Sequence, residues 1–301
     1  MDKNEQGTVV AAKGQCFVVQ AADGSRLLCE IRKKIKFQTK GVTLVAVGDD
    51  VVFSRSDHDR GAIEEVLQRS TMFRRPVVGR RDYTQVLAAN LDRLACVVSV
   101  KSPPLKAGLI DRFIIAARLG QMEPIIVFTK IDLGYPDRFN EVMEAYRAAT
   151  DGLFTVSAFR GDNLDQLRAY LRPHRTLVAG HSGVGKSTLL NALIPGLDLT
   201  TREISIYGKR GRHVTSSIEL FELPGGGLVA DAPGLKVMGL SNMTRVELPH
   251  YYAEFQKYEQ SCRFQPCSHS HEPDCAVKSA VQRGEISRIR YDNYISIADS
   301  L

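Results

Sequence analysis

The 301-residue chain is 44% hydrophobic and 25% charged, with 40 Lys and Arg against 34 Asp and Glu. This is an ordinary globular composition, long enough for two or three domains. The net charge of +6 favours contact with a polyanion such as nucleic acid without requiring one. The opening MDKNEQGTVV lacks the apolar run of a signal peptide. No stretch approaches the ~18 apolar residues of a membrane helix, so a cytoplasmic protein without membrane partners is expected. Cys16, Cys29 and Cys96 lie in strand-like runs and read as buried thiols, whereas Cys262, Cys267 and Cys275 are close together.

Residues 1 to about 68 contain the β-rich pieces GTVVAA, CFVVQA, RLLCEI and DDVVF, broken by turns such as ADGS and VGDD. Short strands at this spacing predict a small barrel, here a five-stranded one of the OB type, a class that often binds RNA or DNA. The following RSTMFRRPVVGRRDYTQ carries Arg69, Arg74, Arg75, Arg80 and Arg81 and reads as a linker with a basic surface. From about residue 85 the apolar runs LACVVSV, EPIIVFT, LFTVSA and TLVAG alternate with helical segments such as LIDRFIIAARLGQ and DQLRAYL. Continuous apolar strands between amphipathic helices predict a parallel sheet covered on both faces. IELFELPGGGLVADAPG follows as a hairpin, and after about 242 a short helical tail bears the Cys/His cluster. The expected division is a barrel at 1–70, an α/β P-loop domain at 71–242 and a small zinc-binding helical domain at 243–301.

GHSGVGKST (180–188) follows the strand TLVAG and opens a helix, the context in which G-x-x-x-x-G-K-[ST] binds phosphate. Backbone N–H groups of Gly180, His181, Ser182, Gly183, Val184, Gly185 and Thr188 would surround phosphate oxygens. Lys186 would reach the β- and γ-phosphates, and Ser187 would ligate Mg²⁺. TKID, comprising Thr129, Lys130, Ile131 and Asp132, closes the strand EPIIVF. An Asp there can accept the paired guanine donors that adenine lacks, with the Lys130 stem along the ring. Ser157 and Ala158, closing the next strand, read as a second base-contact loop. In ADAPG, Asp231 reads as a Mg²⁺ carboxylate and Gly234 as a γ-phosphate contact. In the basic loop KRGRHVTS, Thr215 reads as the Mg²⁺-touching threonine of a switch. The base readers precede the phosphate loop, so the GTPase elements are read as circularly permuted. That order is tolerated because all these loops meet at one edge of the sheet.

In CRFQPCSHSHEPDC, Cys262, Cys267, His269 and Cys275 suit a closed, structural tetrahedral Zn²⁺. His271 competes for the fourth position, and spacing does not choose between the two histidines.

AAN (88–90), DR (111–112), TKIDL, GHSGVGKSTLLN, GRHVTS, DAPG and the Cys/His cluster together resemble the ribosome small subunit-dependent GTPase A family, the YjeQ-like circularly permuted GTPases. The resemblance covers nearly the whole chain. It implies an OB-fold, a central GTPase domain and a zinc domain. It also implies GTP hydrolysis to GDP stimulated by the small ribosomal subunit, late in maturation of that subunit, with rRNA as a partner; a monomer is expected. The chain departs from the family where Thr129 replaces the usual Asn, losing an amide that ties the loops together. Val214 and Ser216 replace two switch threonines. Leu235 follows DAPG and cannot orient water, which makes His213 the catalytic candidate. Two other readings remain open: a P-loop ATPase or nucleotide kinase, disfavoured by the TKID, VSA and DAPG set, and an RNA-binding module with little hydrolysis.

Overall fold

The computed structural model describes residues 4–36, 43–77, 80–199, 218–232, 240 and 243–301. Five strands open the chain: β1 (Glu5–Lys13), β2 (Cys16–Ala21), β3 (Arg26–Lys36), β4 (Asp50–Arg55) and β5 (Arg60–Val66). β1 pairs with both β2 and β4, β2 with β3, β3 with β5 in parallel, and β5 with β4. The sheet therefore closes on itself as the expected five-stranded barrel, which removes exposed strand edges. Its interior is filled by the inward halves of the strands, among them Val9, Val19, Leu27, Phe53 and Ile63.

The stretch expected as a linker is instead a β-hairpin of β6 (Met72–Val77) and β7 (Arg80–Ala89). Backbone bonds from Met72 N–H to the Gly120 carbonyl (3.0 Å) and from Asn90 N–H to the Thr71 carbonyl (3.0 Å) pin its base. Arginines, Pro and Gly obscure the strand alternation in sequence, while pairing across the hairpin supplies the order. Arg69 does not belong to a basic surface. Its side chain is 6% exposed and grips the fully buried Asp49 with two nitrogens, each 2.7 Å from an oxygen. The Asn90 amide joins hairpin to barrel, accepting from Ser70 N–H (2.9 Å) and donating to the Gly48 carbonyl (3.1 Å).

The central sheet is built by β8 (Arg93–Ser99), β9 (Glu123–Thr129), β10 (Gly152–Thr155), β11 (Arg175–Ala179), β12 (Glu219–Glu222) and β13 (Leu228–Asp231). Between them lie α1 (Ala107–Leu119), α2 (Phe139–Arg147), α3 (Leu164–Leu171) and α4 (Lys186–Leu193). The spatial order is β10-β9-β8-β11-β13-β12, parallel except for β12. Alternate residues face opposite layers: Leu94, Cys96 and Val98 meet α1 and α2, while Ala95 and Val97 meet α3 and α4. Two covered faces are why these strands read as unbroken apolar runs. The chain moves outward from β8 to β10, then returns to the other side of β8 as β11. Open α/β sheets bind ligands in the crevice at such a reversal. The pairing of Ala11 with Glu219 carries the sheet on into the barrel.

The C-terminal region contains a 3-10 turn (Leu248–Tyr251), α5 (Gln256–Glu259), α6 (Ala276–Gln282) and α7 (Arg288–Asp299). Tyr252, Phe255, Val277, Tyr294 and Ile297 form its core, which also takes in Ile115 of α1. A buried polar cluster ties α7 to the central domain. Arg290 pairs with Asp111 of α1 and with Glu254, the latter at 2.7 Å. Asp111 also accepts from the Tyr146 hydroxyl (2.5 Å) and the Asn293 amide (2.6 Å). Burial opposes the charge on Arg290, but the two carboxylates outweigh it and raise its pKa. Among the described residues, no helix is long and apolar enough to cross a membrane.

Candidate functional site

β11 leads directly into the phosphate loop. A Cβ on Gly180 would lie 2.2 Å from the Val97 carbonyl oxygen on β8, so the loop leaves the sheet where only glycine fits. Gly185, at φ +96°, turns the chain into α4. The free N–H groups of that helix start, around Lys186, Ser187 and Thr188, then face the loop. The Lys186 ammonium folds back on the loop, donating to the carbonyls of Gly180 (2.8 Å) and His181 (3.1 Å). Burial lowers its pKa, opposed by Asp231.

Asp231 ends β13, and its register opposite Val178 brings it beside the end of β11. Burial raises its pKa, opposed by Lys186. Its Oδ1 is buried and has no hydrogen-bond partner among the described residues. A buried carboxylate oxygen left unpaired is costly. A hydrated divalent cation held between Asp231 and Ser187 is a group that fits it.

The base-reading candidates come from the ends of β9 and β10. Thr129 is 2% exposed, and its hydroxyl lies 2.6 Å from the Val184 carbonyl and 3.2 Å from that of Val98. One hydroxyl hydrogen serves one acceptor well, and the shorter contact is the one to the phosphate loop. The expectation that Thr129 loses the tie between loops is therefore corrected: a hydroxyl makes the tie. Lys130, at φ +61°, donates through Nζ to the carbonyls of Gly183 and Ser102, both at 2.6 Å. The Ser157 hydroxyl donates to Asp132 Oδ1 (2.6 Å), with Ile131 and Ala158 alongside in the two loops. TKID, Ser157–Ala158 and the phosphate loop are thus one hydrogen-bonded unit.

No motif pointed to the loop after β8, yet it completes this unit. The Ser99 hydroxyl accepts from the N–H groups of Ser102 (2.9 Å) and Lys101 (3.3 Å), which presents the Ser102 carbonyl to Lys130. A small apolar pocket of about 60 Å³ separates this loop from His181 and Val184. His213, Thr215 and Gly234 lie outside the described residues.

The second site is the C-terminal cluster. One ligand atom from each of Cys262, Cys267, His269 and Cys275 lies within 4.8 Å of the others. The Cys262 and Cys275 sulfurs are 3.8 Å apart, and His269 Nδ1 is 3.6 and 3.4 Å from them. Tetrahedral zinc with ordinary bond lengths gives S···S of about 3.8 Å and S···N of about 3.6 Å, so the cluster can hold a metal and is compatible with zinc. His271 is exposed and directed to the Ser270 hydroxyl (3.0 Å), which leaves His269 as the fourth ligand. Burial pushes the Cys267 thiol up to about 12, so a cation is what would let these thiols ionise together. Glu272 accepts from the N–H groups of Ser268 and Ser270, while the Tyr291 and Tyr294 hydroxyls donate to the carbonyls of His269 and Ser268, so the loop is braced from α7.

The family model described as RsgA GTPase matches residues 66–241. The chain belongs to the RsgA GTPase family. It is 38% identical to the small ribosomal subunit biogenesis GTPase RsgA of Chlorobaculum tepidum, over 100% of this chain and 99% of that protein. It is 35% identical to the RsgA of Thermotoga maritima, over 99% and 97%. Among solved structures it is similar to YjeQ from Thermotoga maritima, with a TM-score of 0.81, 33% identity and 99% coverage of both chains. It is also similar to YloQ, described as a circularly permuted GTPase, with a TM-score of 0.74, 26% identity and coverage of 99% and 95%. As an RsgA-family member, the chain is a GTP hydrolase of ribosome biogenesis.

Proposed function

We propose that this chain binds the small ribosomal subunit through its rRNA and hydrolyses GTP to GDP and phosphate late in maturation of that subunit, as a cytoplasmic monomer. The observation that carries this reading is the bonding of TKID to the phosphate loop on one side and to Ser157 on the other, at the sheet reversal. The naming of its relatives as small ribosomal subunit biogenesis GTPases supports the choice of ribosomal partner. In this reading the 1–70 barrel contributes to RNA contact and 71–242 holds the nucleotide. Asp132 reads the guanine edge, while Ser157 and Ala158 complete the base loop. Lys186 and the loop amides hold phosphates, and Gly234 senses the γ-phosphate. Ser187, Thr215 and Asp231 would hold Mg²⁺, which would shield phosphate charge when bound. The 243–301 domain is held by one structural Zn²⁺. With Leu235 unable to orient water, His213 takes that role once rRNA phosphates draw in the basic loop that carries it.

The test is phosphate release from GTP, with and without saturating small subunits, for the wild type and His213→Ala. Subunit-stimulated hydrolysis that falls in the variant, with nucleotide and subunit affinity retained, supports the assignment. Equal stimulated rates remove His213 from catalysis, and absence of stimulation in the wild type overturns the subunit-dependent reading. Stimulation should also weaken with salt, because phosphate contacts release counterions.

A further inference from the structure

We infer that Phe159 is a wall of the base slot, stacking on one face of the guanine ring whose edge Asp132 reads; the inference rests on the base-reading role proposed above. Phe159 is 87% exposed, the largest exposure among the large apolar side chains of the described residues. Isolated apolar side chains are common on protein surfaces, so exposure alone means little. Its setting is what distinguishes it. Phe159 follows Ala158 on a turn stapled at both ends, where Gly161 N–H donates to the Ser157 carbonyl (2.9 Å) and Arg160 N–H to the Ser157 hydroxyl (3.1 Å). That same hydroxyl donates to Asp132 (2.6 Å), and the Arg160 guanidinium reaches the Asp132 carbonyl (3.3 Å). The ring is therefore held out from a backbone anchored to the residue assigned to the guanine edge.

A flat ring whose edge meets Asp132 needs walls on its two faces. Lys130 offers one, since its backbone turn and the two carbonyls gripping Nζ stretch its aliphatic stem between them. No described element covers the other side of Phe159, and an aromatic ring gains by stacking on a base. An arginine beside an aromatic also suits single-stranded RNA. Here the Arg160 guanidinium is spent on the Asp132 loop, which favours the nucleotide over an RNA base.

The sequence contains no Trp, so Phe159→Trp makes a single fluorescent reporter at this position. Its emission should be quenched by GDP with the same saturation that calorimetry gives. Phe159→Ala should weaken GDP by about tenfold, and Phe159→Tyr should stay within about twofold of the wild type. Stacking ignores the base edge, so Phe159→Ala should weaken GDP and IDP by the same factor, whereas Asp132→Asn should change the ratio of GDP to XDP affinity. Wild-type GDP affinity in Phe159→Ala, or Trp emission blind to GDP, overturns the inference. So does normal GDP binding with weakened small-subunit binding, which would make the ring an RNA contact. If Asp132→Asn leaves base preference unchanged, it is the underlying base-site reading that fails.

Discussion

Thr129→Val keeps the shape of the side chain and removes only a hydroxyl. That hydroxyl is buried and lies 2.6 Å from the carbonyl of Val184, within the phosphate loop. Losing a buried hydrogen bond and leaving its acceptor unpaired costs about 1–3 kcal/mol. The contact to Val98 belongs to the same hydrogen, so the loss counts once. Part of it falls on the folded protein as lower thermal stability. The remainder falls on nucleotide binding, because a loop released from Thr129 must be ordered again when phosphate arrives, and fixing one residue costs roughly 1–2 kcal/mol. GDP affinity should therefore fall by about threefold to tenfold, mainly through faster dissociation. Stopped-flow displacement of a fluorescent GDP analogue measures that rate, and thermal melting measures the stability share. Thr129→Ser, which keeps the hydroxyl, should dissociate GDP like the wild type. A Val variant with wild-type dissociation and melting would refute the reasoning and reduce Thr129 to a filler of space.

Two further outcomes follow from the C-terminal region. The purified protein should hold one zinc per chain, and Cys267→Ala should lower that content and destabilise 243–301 while nucleotide binding persists. Metal analysis with thermal melting checks this, and a metal-free wild type that melts unchanged speaks against a structural metal. Arg290→Met leaves Asp111 buried without its cation, at a cost of about 3–5 kcal/mol, a drop of roughly 10 °C in melting temperature. Adding Asp111→Asn should recover part of it, because the penalty is mainly the stranded charge; a single variant that melts like the wild type would show that the cluster adds little.

The local chemistry of this protein was legible along the chain because each piece is short and contiguous. GHSGVGKS is a turn whose glycines and helix start act within eight residues. TKID and Ser157–Ala158 stand out as candidates because each closes a β-rich run, and the two-face burial of β8 and β9 was readable from their unbroken apolar sequences. The permuted order was visible too, since it is a property of order alone. What remained hidden depends on through-space partners. Spacing offered both His269 and His271 as ligands, and the fold chose by burying one and exposing the other. Arg69 reads as surface charge in sequence, but the fold lays it over the buried Asp49. The DR pair carried no visible role because Arg290, the partner of Asp111, lies 179 positions away. Thr129 read as a loss because its acceptor, the Val184 carbonyl, is backbone: every residue carries one, so no side-chain pattern announces which will be reached. A hydrogen bond depends on distance and direction across the fold, and those exist only once the strands have taken their spatial order.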